Sequence, residues 1–268
     1  PWCQTLVTDD NALAQSLATD RRIAFLSFIG SARVGWSLHA KLPAGARSAL
    51  EHGGAAPAIV DRSADLDKVI EPIVKGGYYH AGQVCVSTQR IFVHAEIADD
   101  LTQRLVARVE KLRTADPALG DTEVGPLILP READRVGQWV SEAVEGGAVL
   151  ATGGRRLSET TLEPTVLLDP AADAKVSMLE VFGPVVAVYR YTALDEAIRQ
   201  ANALPTAFQA SVFAQDIDVA LSAAERGHKV TLFDKADALG GQLNMAKRVP
   251  GKEEFHGLVE WFATMVAR

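Results

Sequence analysis

The amino-acid sequence predicts an α/β fold built on a parallel sheet. Short apolar strand-like segments alternate with amphipathic helix-like segments along the chain, and the links between them are short. The chain has 268 residues, of which 48% are hydrophobic and 23% charged, so it is long enough to bury a substantial core. This length allows one large domain or two smaller ones.

The first third of the chain follows this alternation. The predicted elements are a strand at 3–9, a short helix at 11–20, a buried strand at 21–31, an apolar strand region at 49–61 and a helix at 65–80. Gly53 and Gly54 interrupt the strand region at 49–61. An apolar stripe at helical spacing predicts the helix at 65–80; its residues are Leu66, Val69, Ile70, Ile73 and Val74.

The rest of the chain continues the pattern. The predicted elements are a strand at 89–97, a helix from Asp99 to Leu112, a helix from Pro130 to Gly146, strands at 164–169 and 184–191, a helix at 193–204, a strand at 209–214, a helix at 216–227 and a strand at 229–234. Pro130 suits the first position of its helix, and Gly146 is expected to end that helix in the left-handed conformation. Thr192 and Asp195 are expected to form a capping box for the helix at 193–204.

Composition and charge argue against several classes of function. The net charge of −7 gives no basic footprint for nucleic acid, and no apolar run reaches the ~20 residues that span a membrane. The N-terminus lacks the basic and apolar regions of a secretory signal, and because it does not begin with Met we expect a processed product or a fragment. Cys3 and Cys85 form no CxxC motif and no disulfide framework, which favours a reducing, cytoplasmic setting.

Two residues are candidates for a nucleophile and a base. Cys85 lies in "HAGQVCVSTQR", at the predicted end of the apolar helix and after Gly82. A catalytic thiol needs a lowered pKa or a nearby base, whereas a lone cysteine in an apolar stretch is usually a small core residue. Glu51, in "LEHGG", lies between an apolar strand and a Gly-Gly turn, where burial would raise the pKa of its carboxyl and suit it to general-base catalysis. A glutamate that faces water at a strand end is the alternative interpretation.

Four motifs in order resemble the aldehyde dehydrogenase superfamily. They are "FIGSARVG", "LEHGGAAPAIV", "YYHAGQVCVSTQR" and "EVFGPVVAVYRY", and the resemblance covers about residues 10–225. It implies a parallel-sheet catalytic domain at 49–226, preceded by part of a Rossmann-like dinucleotide-binding domain at 1–48. The chain is therefore expected to be truncated at its N-terminus relative to the family.

The resemblance implies an oxidoreductase that converts an aldehyde to a carboxylic acid with NAD or NADP. In the family the cysteine of the GQ-x-C motif, here Cys85, attacks the aldehyde carbon and forms a thiohemiacetal. Transfer of hydride to the nicotinamide leaves a thioester. The glutamate of the E-x-GG motif, here Glu51, activates the water that hydrolyses this thioester. The resemblance assigns no metal ligand.

Five cofactor-binding positions follow from the same resemblance. Gly30, Ser31 and Gly35 match the G-S-x-x-x-G turn of the family, whose helix N-terminus would present N–H groups to the pyrophosphate. Glu180 and Phe182, in "EVFGP", match the acid and the aromatic residue that hold the nicotinamide ribose and ring.

Other parts of the family pattern are not found in the sequence. An Asn amide that stabilises the oxyanion, and the Lys and Glu that hold the adenosine end of the cofactor, lie on an N-terminal segment in the family. Gln83 belongs to the cysteine motif, but nothing in the sequence indicates that its amide replaces that of the missing Asn. For His52 we expect only a local contact within its turn. The hairpin arm and C-terminal segment that join family members into homo-oligomers are also not seen. A second hypothesis is therefore a non-catalytic, truncated or chimeric remnant that binds no cofactor.

Residues 227–268 follow a different pattern. This tail resembles the nucleotide-binding part of flavoprotein reductases such as 2,4-dienoyl-CoA reductase, in which Asp234 would match a ribose-binding acid. That contact requires a glycine-rich turn around the pyrophosphate, and no such turn precedes the predicted strand at 229–234. We expect the tail to contribute a strand to a chimeric chain. A flavin-binding or nucleotide-binding module is the weaker third hypothesis.

Overall fold

The computed structural model describes residues 3–205, 209–216 and 219. The chain divides into two compact units, one ending at Gly54 and the other starting at Ala55. Both units contain helices and parallel strands, which confirms the predicted α/β class. The predicted strand at 229–234, Asp234 and the rest of the tail lie outside the described residues.

The first unit has a helix–strand–helix–strand arrangement. Its described elements are α1 (Asn11–Ala18), β1 (Phe25–Ile29), α2 (Ala32–His39) and β2 (Arg47–Glu51). β1 and β2 pair in parallel over their full length. Asp10 caps α1, because its carboxylate accepts hydrogen bonds from the N–H groups of Ala12 (2.8 Å) and Leu13 (3.2 Å).

Two predictions for the first unit are wrong. Residues 3–9 form no strand, since no described strand pairs with them to satisfy their backbone groups, and Val7 is exposed. β1 is also not buried, and Ile29 is 81% exposed. The reason is that β1 pairs only with β2 among the described strands, and both strands alternate between exposed and half-buried residues.

The second unit is built on a sheet of six described strands. They are β3 (Ala56–Val60), β4 (Thr88–His94), β5 (Val149–Thr152), β6 (Thr165–Leu168), β7 (Val185–Tyr191) and β8 (Ser211–Phe213). Their order is β5-β6-β7-β4-β3-β8, and only the β5–β6 pair within this sheet is antiparallel. The predicted strands are confirmed, and β5 is an additional edge strand that was not predicted.

Helices cover both faces of this sheet. They are α3 (Leu66–Tyr78), α4 (Ala98–Val109), α5 (Pro130–Glu145), α6 (Lys175–Met178) and α7 (Leu194–Ala201). The apolar faces of α3, α4 and α5 belong to the same buried cluster as Ile91 and Val93 of β4, whereas Phe92 belongs to a second cluster with α7 on the opposite face. The predicted stripe on α3 is buried throughout. None of the described helices combines the length and apolar composition that crossing a membrane requires.

Two helix ends differ from their predictions. α5 begins at Pro130 as predicted, but Gly146 has a φ of −78°, and the left-handed residue is Gly147 with a φ of 101°. α7 has Ala193 at its N-cap and therefore no side-chain cap, so Thr192 does not cap the helix as the predicted capping box requires. The helix starts one residue later than that box would place it.

Candidate active site

Cys85 lies half-buried in the loop between α3 and β4. α3 ends at Tyr78 and a short turn at Tyr79–Gly82 follows, so Cys85 lies beyond the helix and not at its end as predicted. His80 (φ 50°), Ala81 (φ 55°) and Gly82 (φ 70°) adopt left-handed backbone conformations in succession. Since this conformation is unfavourable for His and Ala, the contacts around the loop must hold it in place.

The side chain of Gln83 anchors the start of the cysteine loop. Its Nε2 donates to the carbonyl oxygens of His80 and Pro126, both at 3.2 Å. Its Oε1 accepts a hydrogen bond from the N–H of Ile128 at 2.9 Å. The amide of Gln83 is therefore engaged in holding backbone, which gives this motif residue a structural role.

Two further side chains fix the loop after Cys85. Ser87 donates through Oγ to the carbonyl of Gly76 at 3.2 Å, at the end of α3. Gln209 donates through Nε2 to the carbonyl of Val86 at 3.0 Å. No hydrogen bond between described residues uses the N–H of Cys85. The loop is thus anchored on both sides of the cysteine.

The cysteine loop packs against the "EVFGP" segment. A Cβ at Gly82 would lie 2.6 Å from the carbonyl carbon of Gly183 and closer still to its oxygen. Because that space is filled by backbone, which cannot move aside like a flexible side chain, only glycine fits at position 82. Two of the predicted motifs, the one containing Cys85 and the one containing Glu180 and Phe182, therefore meet in the second unit.

Gln89 connects β4 to the same segment. Its Nε2 donates to the carbonyl oxygens of Val176 (2.8 Å) and Leu179 (2.7 Å), and its Oε1 accepts from the N–H of Val181 (2.8 Å). Glu180 lies between two of these bonded residues. Gln89 was not predicted as a site residue, although an amide within the apolar run of a predicted strand is a signal, because such a buried group needs hydrogen-bond partners.

The backbone of Val181 is also held from its carbonyl side. Arg135 of α5 donates through Nη2 to this carbonyl at 2.7 Å, and its guanidinium lies 4.5 Å from the ring centroid of Trp139. Phe182 follows with a φ of 48°, and its side chain is 41% exposed. The side chain of Phe182 is thus exposed, and the hydrogen bonds of the preceding residue Val181 help to hold Phe182 in its left-handed backbone conformation.

The first unit contains the predicted glycine turn. Gly30 follows β1, and Ser31 is the N-cap of α2 but makes no side-chain cap hydrogen bond. The first-turn N–H groups of a helix have no partners within the helix, so this end is suited to an anion such as a pyrophosphate. A Cβ at Gly35 would lie 2.6 Å from Cε1 of His52, so packing alone gives a reason for glycine there. The Nδ1 of His52 lies 3.3 Å from the carbonyl oxygen of Gly30, so this histidine contacts the other motif of the first unit and not, as was expected, its own turn.

Glu51 is the last residue of β2. Its backbone carbonyl accepts a hydrogen bond from the N–H of Gly30 at 3.1 Å, which joins the two motifs of the first unit. Its side chain is exposed, so the burial that was expected for a general base is not present. The reason is the alternation of β2, which places Glu51 on the exposed side of the strand. The role of Glu51 as a base remains a prediction.

Comparisons with known proteins agree with the motifs. The model of the aldehyde dehydrogenase family matches residues 2–231. A 3-sulfolactaldehyde dehydrogenase of Priestia aryabhattai is 39% identical over 222 residues, which are 82% of this chain and 46% of that protein. The succinate-semialdehyde dehydrogenase (NADP+) 1 of Mycobacterium tuberculosis is 37% identical over 216 residues, which are 80% of this chain and 47% of that protein.

Solved structures give the same result. The structure of betaine aldehyde dehydrogenase from Staphylococcus aureus in complex with NAD+ superposes with a TM-score of 0.77 at 30% identity. The match covers 85% of this chain and 47% of that one. This chain therefore spans about half the length of the relatives that it matches.

The family match covers the aldehyde dehydrogenase motifs but little of the tail. The family match includes the predicted region of about 10–225 and continues past Gly227 to residue 231. The flavoprotein resemblance of residues 227–268 has no support among these relatives and remains a prediction. The matched region contains every residue of the two motif groups described above. The chain belongs to the aldehyde dehydrogenase family.

Proposed function

We propose that this chain carries the site of a dehydrogenase that oxidises an aldehyde to a carboxylic acid with NAD or NADP, with Cys85 as nucleophile and Glu51 as base. The observation that carries the proposal is the anchored cysteine loop, whose Gly82 packs against Gly183 in the "EVFGP" segment. This packing joins a nucleophile to a segment that presents an acid and an exposed aromatic side chain.

Cys85 performs the first step. Its thiolate attacks the aldehyde carbon and forms a carbon–sulfur bond, while the carbonyl oxygen takes the electron pair and becomes an oxyanion. The N–H of Cys85, which no hydrogen bond between described residues uses, is available to donate to this oxygen. The anchors at Gln83 and Ser87 keep the loop from shifting as this charge develops.

The residues present fit a dinucleotide in two respects. The N-terminus of α2, after Gly30 and Ser31, offers uncapped N–H groups to a pyrophosphate. Phe182 offers an exposed aromatic face beside Glu180, as the predicted contacts with a nicotinamide ring and ribose require. When bound, oxidised NAD or NADP supplies the acceptor for the hydride that leaves the former aldehyde carbon. The acyl group then remains on Cys85 as a thioester.

Glu51 acts in the second half of the reaction. Its carboxylate takes a proton from a water molecule, whose oxygen attacks the thioester carbon. The carbon–sulfur bond breaks, the thiolate of Cys85 is restored, and the product leaves as a carboxylate. Because the side chain of Glu51 is exposed, it can return the proton to solvent between turnovers.

The names of two relatives suggest the first substrates to test. Sulfolactaldehyde and succinate semialdehyde are small aldehydes that carry an acidic group. We include small acidic aldehydes in the proposal as the substrate class. A cytoplasmic location and the lack of a nucleic-acid or membrane partner complete it.

The proposal is tested on the purified chain with two assays. One measures reduction of NAD+ and of NADP+ with each aldehyde, and the other measures hydrolysis of p-nitrophenyl acetate, which needs the thiol but no cofactor. We expect both activities in the wild type, loss of both in Cys85→Ala, and retention of both in the control Cys3→Ala, whose thiol is exposed and lies outside the motifs.

The alternatives give different results in the same assays. Ester hydrolysis that depends on Cys85, without cofactor reduction, would contradict the dehydrogenase proposal and favour a remnant that binds no cofactor. Absence of both activities would overturn the assignment of Cys85. A yellow chromophore that purifies with the chain would favour the flavin-binding hypothesis for the tail.

A further inference from the structure

We propose that Gln89 is a positioning residue, which holds the cofactor-contacting segment Leu179–Phe182 at a fixed place against β4. This inference rests on the proposed function, because it concerns how the nicotinamide end of that site is held. It adds a residue to which the motifs assign no role.

The hydrogen bonds of Gln89 converge on one short stretch of chain. Both hydrogens of its amide have acceptors, the carbonyls of Val176 and Leu179, and its oxygen accepts from Val181. The residue is only 4% exposed, so these groups have no water to replace a lost partner. An apolar side chain would be enough to fill the space at position 89. The amide of Gln89 does more, because its three hydrogen bonds fix the position and the direction of the backbone from Val176 to Val181.

The clamped stretch includes the two residues that the proposal assigns to the nicotinamide end. Glu180 lies between Leu179 and Val181, which Gln89 holds on either side. Phe182 directly follows Val181, and its φ of 48° is a conformation that an unheld phenylalanine rarely adopts. Gln89 and Arg135 together fix the N–H and the carbonyl of Val181, so the direction in which Phe182 leaves the segment is set.

The anchors of Cys85 do not involve Gln89. The cysteine loop is held by Gln83, Ser87 and Gln209 through separate hydrogen bonds. We therefore expect substitution of Gln89 to impair steps that need the cofactor and to spare the reaction of the thiol with an ester. A residue that merely supported the fold would affect both.

Three variants separate these effects. Gln89→Leu has a similar size and removes all three hydrogen bonds, whereas Gln89→Asn keeps a neutral amide that is one methylene shorter and cannot reach all three partners. Gln138→Leu is the matched control, because Gln138 is an exposed glutamine on α5. If Gln89→Leu does not fold, Gln89→Asn carries the test, with smaller effects in the same direction.

The first measurement is amide hydrogen exchange, followed by mass spectrometry of peptides that cover residues 176–184. We expect faster exchange of this stretch in Gln89→Leu than in the wild type, with α4 unchanged and Gln138→Leu indistinguishable from the wild type. Unchanged exchange at 176–184 would overturn the inference. This readout needs neither a cofactor nor turnover.

The second measurement compares the kinetics of the same variants. We expect the KM for NAD+ or NADP+ to rise about tenfold in Gln89→Leu, while hydrolysis of p-nitrophenyl acetate stays within about twofold of the wild type. A parallel fall of both activities would show a general structural role and overturn the inference. If the wild type reduces no cofactor, the proposed function fails, and hydrogen exchange alone decides whether Gln89 holds the segment.

Discussion

Gly82 and Gly183 pack backbone against backbone, so closely that a Cβ at Gly82 would lie 2.6 Å from the carbonyl carbon of Gly183. Gly82 belongs to the turn that leads to Cys85, and Gly183 belongs to the segment that presents Phe182. This one contact joins the nucleophile loop to the cofactor-contacting segment within the second unit. It makes the two motifs parts of one packed structure.

Gly82→Ala is expected to lower the free energy of unfolding by about 2–4 kcal/mol, because the new methyl group meets backbone and the φ of the residue is left-handed. Urea denaturation measures this loss. The control is Gly137→Ala in α5, where a Cβ meets nothing within 4 Å. There we expect a gain of about 0.5–1 kcal/mol from reduced backbone freedom in the unfolded chain. Equal stability of Gly82→Ala and the wild type would contradict the close contact.

Tyr78→Phe is expected to destabilise the chain through one lost hydrogen bond. The hydroxyl of Tyr78 is buried at the end of α3 and donates to the carbonyl of Thr165 at 2.9 Å. Removing it should cost about 1–2 kcal/mol, again measured by urea denaturation. Tyr79→Phe is the adjacent control, because Tyr79 is 55% exposed and should tolerate the change. Equal losses for both variants would show that the hydroxyl of Tyr78 contributes nothing specific.

Stability is expected to fall in alkaline solution through the buried tyrosines. Burial raises the pKa of Tyr78, Tyr189 and Tyr191 above the usual value. In the unfolded chain a tyrosine loses its proton near pH 10, while the folded chain retains it, so the unfolded state is favoured as the pH rises above about 10. Below that pH these tyrosines are protonated in both the folded and the unfolded chain, so their titration no longer changes the free energy of unfolding.

The check is the free energy of unfolding between about pH 8 and about pH 11, in the wild type and in Tyr78→Phe. The wild type should lose stability more steeply above pH ~10 than the variant, which lacks one of the titrating groups. Parallel curves for the two proteins would contradict the contribution of Tyr78.

Arg90 ties β4 to the end of α7. Its buried guanidinium donates to the carbonyls of Ala55 (3.1 and 3.0 Å), Gln200 (3.1 Å) and Ala201 (2.9 Å), and burial lowers its pKa. Arg90→Lys should cost about 3 kcal/mol or more, because one ammonium cannot reach all of these carbonyls. Arg131→Lys, whose side chain is 78% exposed, is the control in the same denaturation experiment. A loss below about 1 kcal/mol at Arg90 would contradict this reading.

Local patterns explain which parts of the fold were predictable. The stripe on α3 repeats at helical spacing, so its periodicity identifies both the helix and its buried face. The apolar runs of β4 and β7 are continuous, and their short length indicates buried strands. The segment at 3–9 has the composition of a strand but finds no described partner, and strand formation depends on pairing with a neighbour that local composition does not reveal. The same limit applies to β5, an edge strand that exists through its pairing with β6.

The candidate site shows a similar division. The motifs identified Cys85, Glu180 and Phe182, and the structure brings their segments together. The contacts that hold these segments, such as those between Gln89 and Val181, join residues far apart in the sequence and could not be read from local pattern. The expected burial of Glu51 failed for a related reason, since the side of β2 that faces solvent depends on what packs against the strand.

The central claim is that Cys85 is a nucleophile that forms an acyl intermediate. The most direct measurement is rapid acid quenching of the wild type during reaction with p-nitrophenyl acetate, followed by mass spectrometry of its cysteine-containing peptides. We expect an acetyl group on the peptide that contains Cys85, none on the peptide that contains Cys3, and none on either peptide in Cys85→Ala. Acetylation of Cys3 alone, or an unmodified Cys85 while ester is being hydrolysed, would contradict the account.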